Sequence, residues 1–152
     1  MYGAVLSIHS WIRWIALLLG VGATINAFRD PAEPSPKAPG SWWDTLFQLT
    51  LDLQLLFGLL LYFGLSPFTR DALNDFSTSM QVPALRFWAI QHITFMFAAV
   101  GLVRAGRVLA MNAKTPRARR ARRLACFTLA MLILAAGIPW PGLSYGRPLF
   151  RF

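Results

Sequence analysis

The sequence predicts an all-α protein: an integral membrane four-helix bundle with up-down-up-down topology and both termini outside. Three observations favour this fold. Of the 152 residues, 56% are hydrophobic and only 14% are charged, which leaves too few polar residues to cover a soluble domain of this size. The hydrophobic residues form four long runs. Much of the positive charge lies in one segment between the third and fourth runs.

The four hydrophobic runs cover about residues 4–28, 43–65, 85–109 and 124–141. A membrane-spanning helix needs ~20 mostly apolar residues, and its backbone must be hydrogen-bonded internally because lipid offers no partners. The runs therefore predict four helices in a single transmembrane domain, 1–152. Short connections make consecutive helices antiparallel neighbours, so the first and third helices should lie diagonally across the core.

The basic segment "RAGRVLAMNAKTPRARRARR" (104–123) indicates the orientation. It holds eight of the fifteen Lys and Arg residues, and such residues concentrate on the cytoplasmic side of membrane proteins. This places the loops 110–122 and 29–42 in the cytoplasm and the loop 66–84 outside, where "TRDALNDF" predicts a short surface helix. The expected location is the bacterial inner (cytoplasmic) membrane. The net charge of +9 is explained by this orientation signal. We therefore predict the lipid bilayer as the partner of the chain and expect no nucleic-acid binding.

The only two histidines, His9 and His92, lie near the outer starts of the first and third runs. At a rise of ~1.5 Å per residue, their depths should agree within about one helical turn. Two imidazoles that face each other across a bundle core are what a bis-histidine haem b site requires. We therefore predict one haem b, with His9 and His92 as ligands of its iron. Taken singly, each histidine is also explained as a hydrogen-bonded residue near the membrane interface.

Small residues follow the histidines on the same helical faces, for example Ala16 and Gly20 after His9 and Ala99 after His92. Such faces leave room for the edges of a flat cofactor, or they let the helices pack closely. The sequence leaves both interpretations open.

Arg13 lies one turn below His9 on the same face, and a charge at this depth needs a partner. The predicted partner is the buried Asp52, with a haem propionate as the alternative. Arg86, at the outer mouth of the third helix, is the better-placed propionate partner, unless it is an ordinary interfacial arginine. Gln48 joins Asp52 in a buried polar line. With Tyr62, these residues offer a quinone-binding or proton-handling alternative.

The quoted segments "LSIHSWIRW", "LDLQLLFGLLLYF", "LRFWAIQH" and "AGIPWP" resemble those of small four-helix bacterial membrane proteins of the cytochrome b-like type. The resemblance spans nearly the whole chain. It implies that His9 and His92 are the axial pair. Two-haem members of the wider class need four histidines, so the resemblance implies a single haem here.

The expected function is that of a membrane-bound b-type cytochrome, an electron carrier whose haem iron lies near the periplasmic side. The sequence offers no catalytic nucleophile, paired carboxylates or phosphate-binding loop, so we do not expect an enzyme in its own right. A redox partner protein or a larger membrane complex is implied. One alternative is a non-catalytic, pigment-binding subunit of a respiratory or photosynthetic complex. The other is the quinone- or proton-handling module.

Overall fold

The computed structural model describes residues 1–30 and 41–150, and the regular elements in these ranges are all helical. Two segments of the chain are π-helical, Leu61–Leu65 and Phe87–Gln91. The loop 29–42 lies largely outside the described residues. The α-helices, in chain order, are α1 (Tyr2–Arg29), α2 (Ser41–Leu60), α3 (Pro67–Asn74), α4 (Phe76–Gln81), α5 (Pro83–Arg86), α6 (His92–Met111) and α7 (Pro116–Gly137).

Three helical stretches are long and apolar enough to cross a membrane: Tyr2–Arg29, Trp42–Leu65 and Pro83–Met111. Their outward faces are hydrophobic; Leu18, for example, is 72% exposed. A water-soluble surface would not normally present so much apolar area. These helices suggest a membrane protein.

The fourth long helix, α7, starts earlier than the sequence predicts. The segment 110–122 was expected to be a loop, but only 112–115 is irregular and the arginines that follow are helical. Thr115 caps the helix by accepting a 3.1 Å hydrogen bond from the Ala118 N–H, and Pro116 occupies the first turn, where its missing N–H costs nothing. The helix ends at Gly137 rather than 141, because Pro139 cannot continue it.

The four long helices pack in a ring. α1 contacts α2 and α7, and α6 contacts the same two helices. Consecutive helices are antiparallel: Gly22 of α1 lies beside Trp43 near the start of α2, whereas His9 lies beside Gly58 near its end. Thus α1 and α6 lie diagonally across the core, as the sequence predicts.

Small residues allow the helices to approach closely at mid-bundle. A Cβ added at Gly20 would collide with the Met131 sulfur and would lie 2.8 Å from the Phe47 ring. One added at Gly106 would meet the Cβ of Cys126 at 2.6 Å. At Gly20 and Gly106, close packing rather than room for a cofactor therefore explains the small residue.

The short helices α3 to α5 and the C-terminal segment 138–150 cover one end of the ring, which we call the outer end. The predicted surface helix is confirmed as α3. Asp75 caps α4 by accepting a 3.1 Å hydrogen bond from the Thr78 N–H, and this bond lowers the pKa of the Asp75 carboxyl. The C-terminal segment folds back over this end, with the Tyr145 ring stacked on Phe87 at a centroid distance of 3.8 Å.

A buried ion network joins three helices at the opposite, inner end. The Arg123 guanidinium of α7 donates two hydrogen bonds to Asp44 of α2, at 2.9 and 2.7 Å, and one of 2.9 Å to Asp30. Asp30, just after α1, also accepts two hydrogen bonds from Arg119. The exposed fractions of Arg123, Asp30 and Asp44 are only 4%, 1% and 6%. The network ties the ends of α1, α2 and α7 together.

We expect Arg123→Gln to lower the free energy of unfolding by about 3–5 kcal/mol, because it leaves buried carboxylates without their cationic partner. Unfolding in detergent micelles, followed by circular dichroism, measures the change. Arg117→Gln is the matched control, since Arg117 is exposed on the same helix. Equal stability of the two variants would contradict the structural role of the network.

Candidate functional site

A cavity of about 110 Å³ opens at the outer end of the helix ring. The four long helices, α3 and the C-terminal segment all contribute to its wall. Both histidines line it, together with Gln54 of α2. The two π-helical segments flank it and contact each other, since the Tyr62 hydroxyl donates a 2.5 Å hydrogen bond to the Ala89 carbonyl. Such π segments occur often at functional sites.

His92 is held in one orientation by α7. Its Nδ1 lies 2.7 Å from the carbonyl oxygen of Gly137. A carbonyl only accepts, so Nδ1 carries the proton and donates it. The other ring nitrogen, Nε2, therefore keeps its lone pair, which is the state of a histidine that ligates a metal through Nε2.

The close approach of α6 and α7 at this point depends on Gly137. A Cβ there would lie 2.5 Å from Cε of Met96 and 2.9 Å from Cβ of Phe95. Helical periodicity in the sequence did not reveal that the Gly137 carbonyl anchors His92.

His9 is held through Nε2, whereas His92 is held through Nδ1. Its Nε2 lies 3.1 Å from the Gln54 amide, and its ring packs on Gly58, where an added Cβ would meet the ring at 3.2 Å. The Nδ1 of His9 and the Oε1 of Gln54 are buried, with no hydrogen-bond partner among the described residues. In this structure the Gln54 amide nitrogen donates to Nε2 of His9, so Nδ1 carries the ring proton. Turning the amide over would bring Oε1 to Nε2, which would then carry the proton and leave the Nδ1 lone pair for a ligand.

The two imidazole rings lie close to each other at the cavity wall. Their ring centroids are 6.4 Å apart, with an angle of 67° between the ring planes. Metal–imidazole bonds are about 2 Å long, so two rings on opposite sides of one metal ion have centroids roughly 6 Å apart. The centroid distance between His9 and His92 matches this value. The predicted depth and inward orientation of both rings agree with this placement.

The two histidines would suit a metal that brings further ligands of its own. Among the described residues, no group of three or more His, Cys, Asp or Glu side chains comes together. Two imidazoles alone do not complete a protein-only site of the usual four ligands. A tetrapyrrole supplies four nitrogens to its metal, so this pair of donors fits haem.

The cavity is small for a tetrapyrrole. At about 110 Å³, the cavity is smaller than the ~150 Å³ apolar cavity that holds a benzene molecule. A tetrapyrrole would have to displace lining side chains, and Met96 and Leu134 are apolar candidates at the cavity wall. Met96 is an unbranched side chain that adapts readily to a changed surface.

The predicted ion pair between Arg13 and Asp52 is wrong. Arg13 donates a 2.6 Å hydrogen bond to the Leu149 carbonyl of the C-terminal segment, whereas Asp52 forms a 2.8 Å ion pair with Arg104 of α6. The reason is the helical period: residues 52 and 54 are about 200° apart around α2. Gln54 therefore faces α1, and Asp52 faces α6.

The polar line on α2 is found, but its residues are less buried than the sequence suggests. Gln48 and Thr45 accept hydrogen bonds from Arg107. The Asp52 side chain is 31% exposed and its partner Arg104 is 57% exposed. Of the three residues in the quinone alternative, Tyr62 lines the cavity and Asp52 and Gln48 do not, so they form no common pocket.

Arg86 lies away from the cavity. Its guanidinium donates a 3.1 Å hydrogen bond to the Met80 carbonyl, and it does not line the cavity wall. The arginines that do line the wall are Arg13 and Arg147. Arg147 was missed because it lies in an irregular segment, where no periodicity predicts which way a side chain points.

Comparison with known proteins found no matching family model, no matching curated protein and no matching solved structure. The resemblance to cytochrome b-like proteins therefore stays a prediction from the sequence.

We expect Gly137→Ala to destabilise the protein by about 1–3 kcal/mol, because the added methyl group overpacks the contact between α6 and α7. The free energy of unfolding in detergent measures this. Gly101→Ala is the control: nothing lies within 4 Å of an added Cβ there, and alanine favours the helix by up to about 1 kcal/mol. Equal effects at the two positions would contradict close packing at Gly137.

Proposed function

We propose that this chain is a membrane-bound b-type cytochrome that carries one haem b between His9 and His92 and transfers electrons near its outer end. The observation that carries the proposal is the histidine pair. Each imidazole has one nitrogen held by a neighbour, and the two rings face each other 6.4 Å apart across one cavity. Metal-ligating histidines typically have this second contact.

Held by His9 and His92, a haem would supply a one-electron couple. The protein's part is to hold and orient its ligands. The Gly137 carbonyl fixes the tautomer of His92, and the Gln54 amide orients His9. Apolar side chains such as Leu51 and Leu134 line the inner part of the cavity and keep water out. The function is that of a carrier, and no enzymatic activity of its own is proposed.

The proposed setting is the bacterial inner membrane, with all four long helices in the bilayer. The arginines that open α7 favour a cytoplasmic inner end. The antiparallel order of the helices then puts the histidine cavity, α3 and the C-terminal segment on the periplasmic side. An electron donor or acceptor would approach from that side, since the histidine cavity is lined by residues of that end.

A second candidate is a role as a subunit of a larger membrane complex, and one observation favours it. The Asp52–Arg104 ion pair lies on the outer surface of α2 and α6 and is partly exposed. Charged groups within membrane-spanning helices normally face protein or water rather than lipid. A partner protein against this face would cover the pair, and this role is compatible with a haem.

Reduced-minus-oxidised absorption spectra of the purified protein in detergent test the main proposal. We expect haem b bands in the wild type and their loss in both His9→Ala and His92→Ala, because each variant removes one axial ligand. Asp52→Asn is the control and should keep the bands, since Asp52 lies outside the cavity. Circular dichroism checks that all variants remain folded.

Other outcomes would contradict the proposal. Bands retained in both histidine variants would exclude the bis-histidine site. Absence of haem together with copurifying proteins would favour the subunit role. Redox cycling that is sensitive to quinone-site inhibitors and lost in Asp52→Asn would favour the quinone alternative.

A further inference from the structure

Three arginines lie at the inner end of the bundle, where α1 and α7 are neighbours. Arg29 is the last residue of α1, and Arg117 and Arg120 belong to the first turns of α7. The Arg120 guanidinium lies 5.2 Å from the centroid of the Phe28 ring, which brings it beside the end of α1. Arg117, three residues earlier, is on the same face of α7, and both Arg29 and Arg117 are exposed.

The carboxylates near these arginines are engaged inside the bundle. Asp30 and Asp44 are buried, and they accept the hydrogen bonds of Arg119 and Arg123. The ion pairs between described residues include none of the three surface arginines. The positive charge of this surface is therefore not balanced by a carboxylate in the described part of the chain.

An exposed apolar stripe on α1 begins next to these arginines. Its members follow each other at intervals of three or four residues, so they lie on one face of the helix. They are Phe28, Ile25, Val21 and Leu18, with exposed fractions of 60%, 46%, 49% and 72%. At a rise of ~1.5 Å per residue the stripe is roughly 15 Å long, about half of the ~30 Å hydrocarbon thickness of a bilayer. Cationic groups therefore adjoin an apolar surface that is one leaflet deep.

We propose that this surface binds an anionic phospholipid, with the lipid phosphate at Arg29, Arg117 and Arg120 and an acyl chain along the apolar stripe. Guanidinium groups bind phosphate through two parallel hydrogen bonds, and basic residues next to membrane-spanning helices attract anionic lipids. The contact with the Phe28 ring holds Arg120 at the junction of charge and stripe. The inference goes beyond the proposed function and does not depend on a haem.

The competing explanation is a general attraction between the basic inner end and an anionic membrane, in which every exposed cation counts equally. Arg122 distinguishes the two explanations. It is exposed as well, but it donates a 2.7 Å hydrogen bond to the Leu109 carbonyl of α6. Residues 120 and 122 are about 200° apart around α7. Arg122→Gln therefore removes the same charge from a side of α7 that does not adjoin the stripe.

The test is a titration of the lipid-stripped full-length protein in detergent with phosphatidylglycerol and with phosphatidylcholine of the same acyl chains. Native mass spectrometry measures the bound lipid. We expect the wild type to bind phosphatidylglycerol at least about tenfold more tightly than phosphatidylcholine, and Arg120→Gln to lower this preference about fivefold. Arg122→Gln is the matched control and should keep the preference. Excess glycerol phosphate should not displace the lipid, because it has no acyl chain to bind the stripe.

Three results would overturn the proposal. One is equal binding of both lipids by the wild type. Another is an equal loss of preference in Arg120→Gln and Arg122→Gln, because that result marks a general effect of charge. The third is displacement of the lipid by glycerol phosphate, which would mark a site for the phosphate alone. Circular dichroism checks that both variants remain folded. The outcome is independent of the histidine site, since Arg120 and Arg122 do not line the histidine cavity.

Discussion

Inside an apolar helical bundle, every polar group needs a partner, and this need shapes both ends of the protein. Water is scarce there, and an unpaired buried charge or hydrogen-bonding group is costly. The inner end meets this need within the protein: Arg123 is paired with two carboxylates, and Arg119 supports one of them. The outer end meets it only in part, since Nδ1 of His9 and Oε1 of Gln54 have no partner among the described residues. This contrast separates a self-contained structural cluster from a site that is suited to a ligand.

The C-terminal segment links the outer site to the rest of the fold. Arg13 and Trp14 of α1 both donate hydrogen bonds to the Leu149 carbonyl, and the Phe150 ring stacks on Trp14 at a centroid distance of 5.3 Å. Arg13, one turn below His9, is thus paired with a backbone carbonyl and not with Asp52. Arg13 fastens the segment that carries Arg147 to the cavity mouth, and the same segment covers the outer end of the helices.

The sequence predicted what periodicity and depth control. Long apolar runs predicted the helical stretches Tyr2–Arg29, Trp42–Leu65 and Pro83–Met111 to within about two residues at each end. The similar level of His9 and His92 followed from the rise per residue that helices share. It did not predict which side chains meet. Asp52 and Gln54 are two residues apart and face different helices, so only the rotation of α2 decides that Gln54 contacts His9. The ion network at the inner end was not predicted. Asp30 and Asp44 flank a loop, where periodicity gives no direction to a side chain. Arg123 belongs to a run of arginines that the positive-inside rule already explained.

In the proposed site, both imidazoles hold one metal from opposite sides. Electron paramagnetic resonance of the oxidised protein, with its histidines labelled with ¹⁵N, tests this arrangement. We expect a low-spin ferric signal coupled to nitrogens from two histidines. A high-spin signal, or coupling to a single histidine nitrogen, would overturn the proposed site even if haem copurifies with the protein.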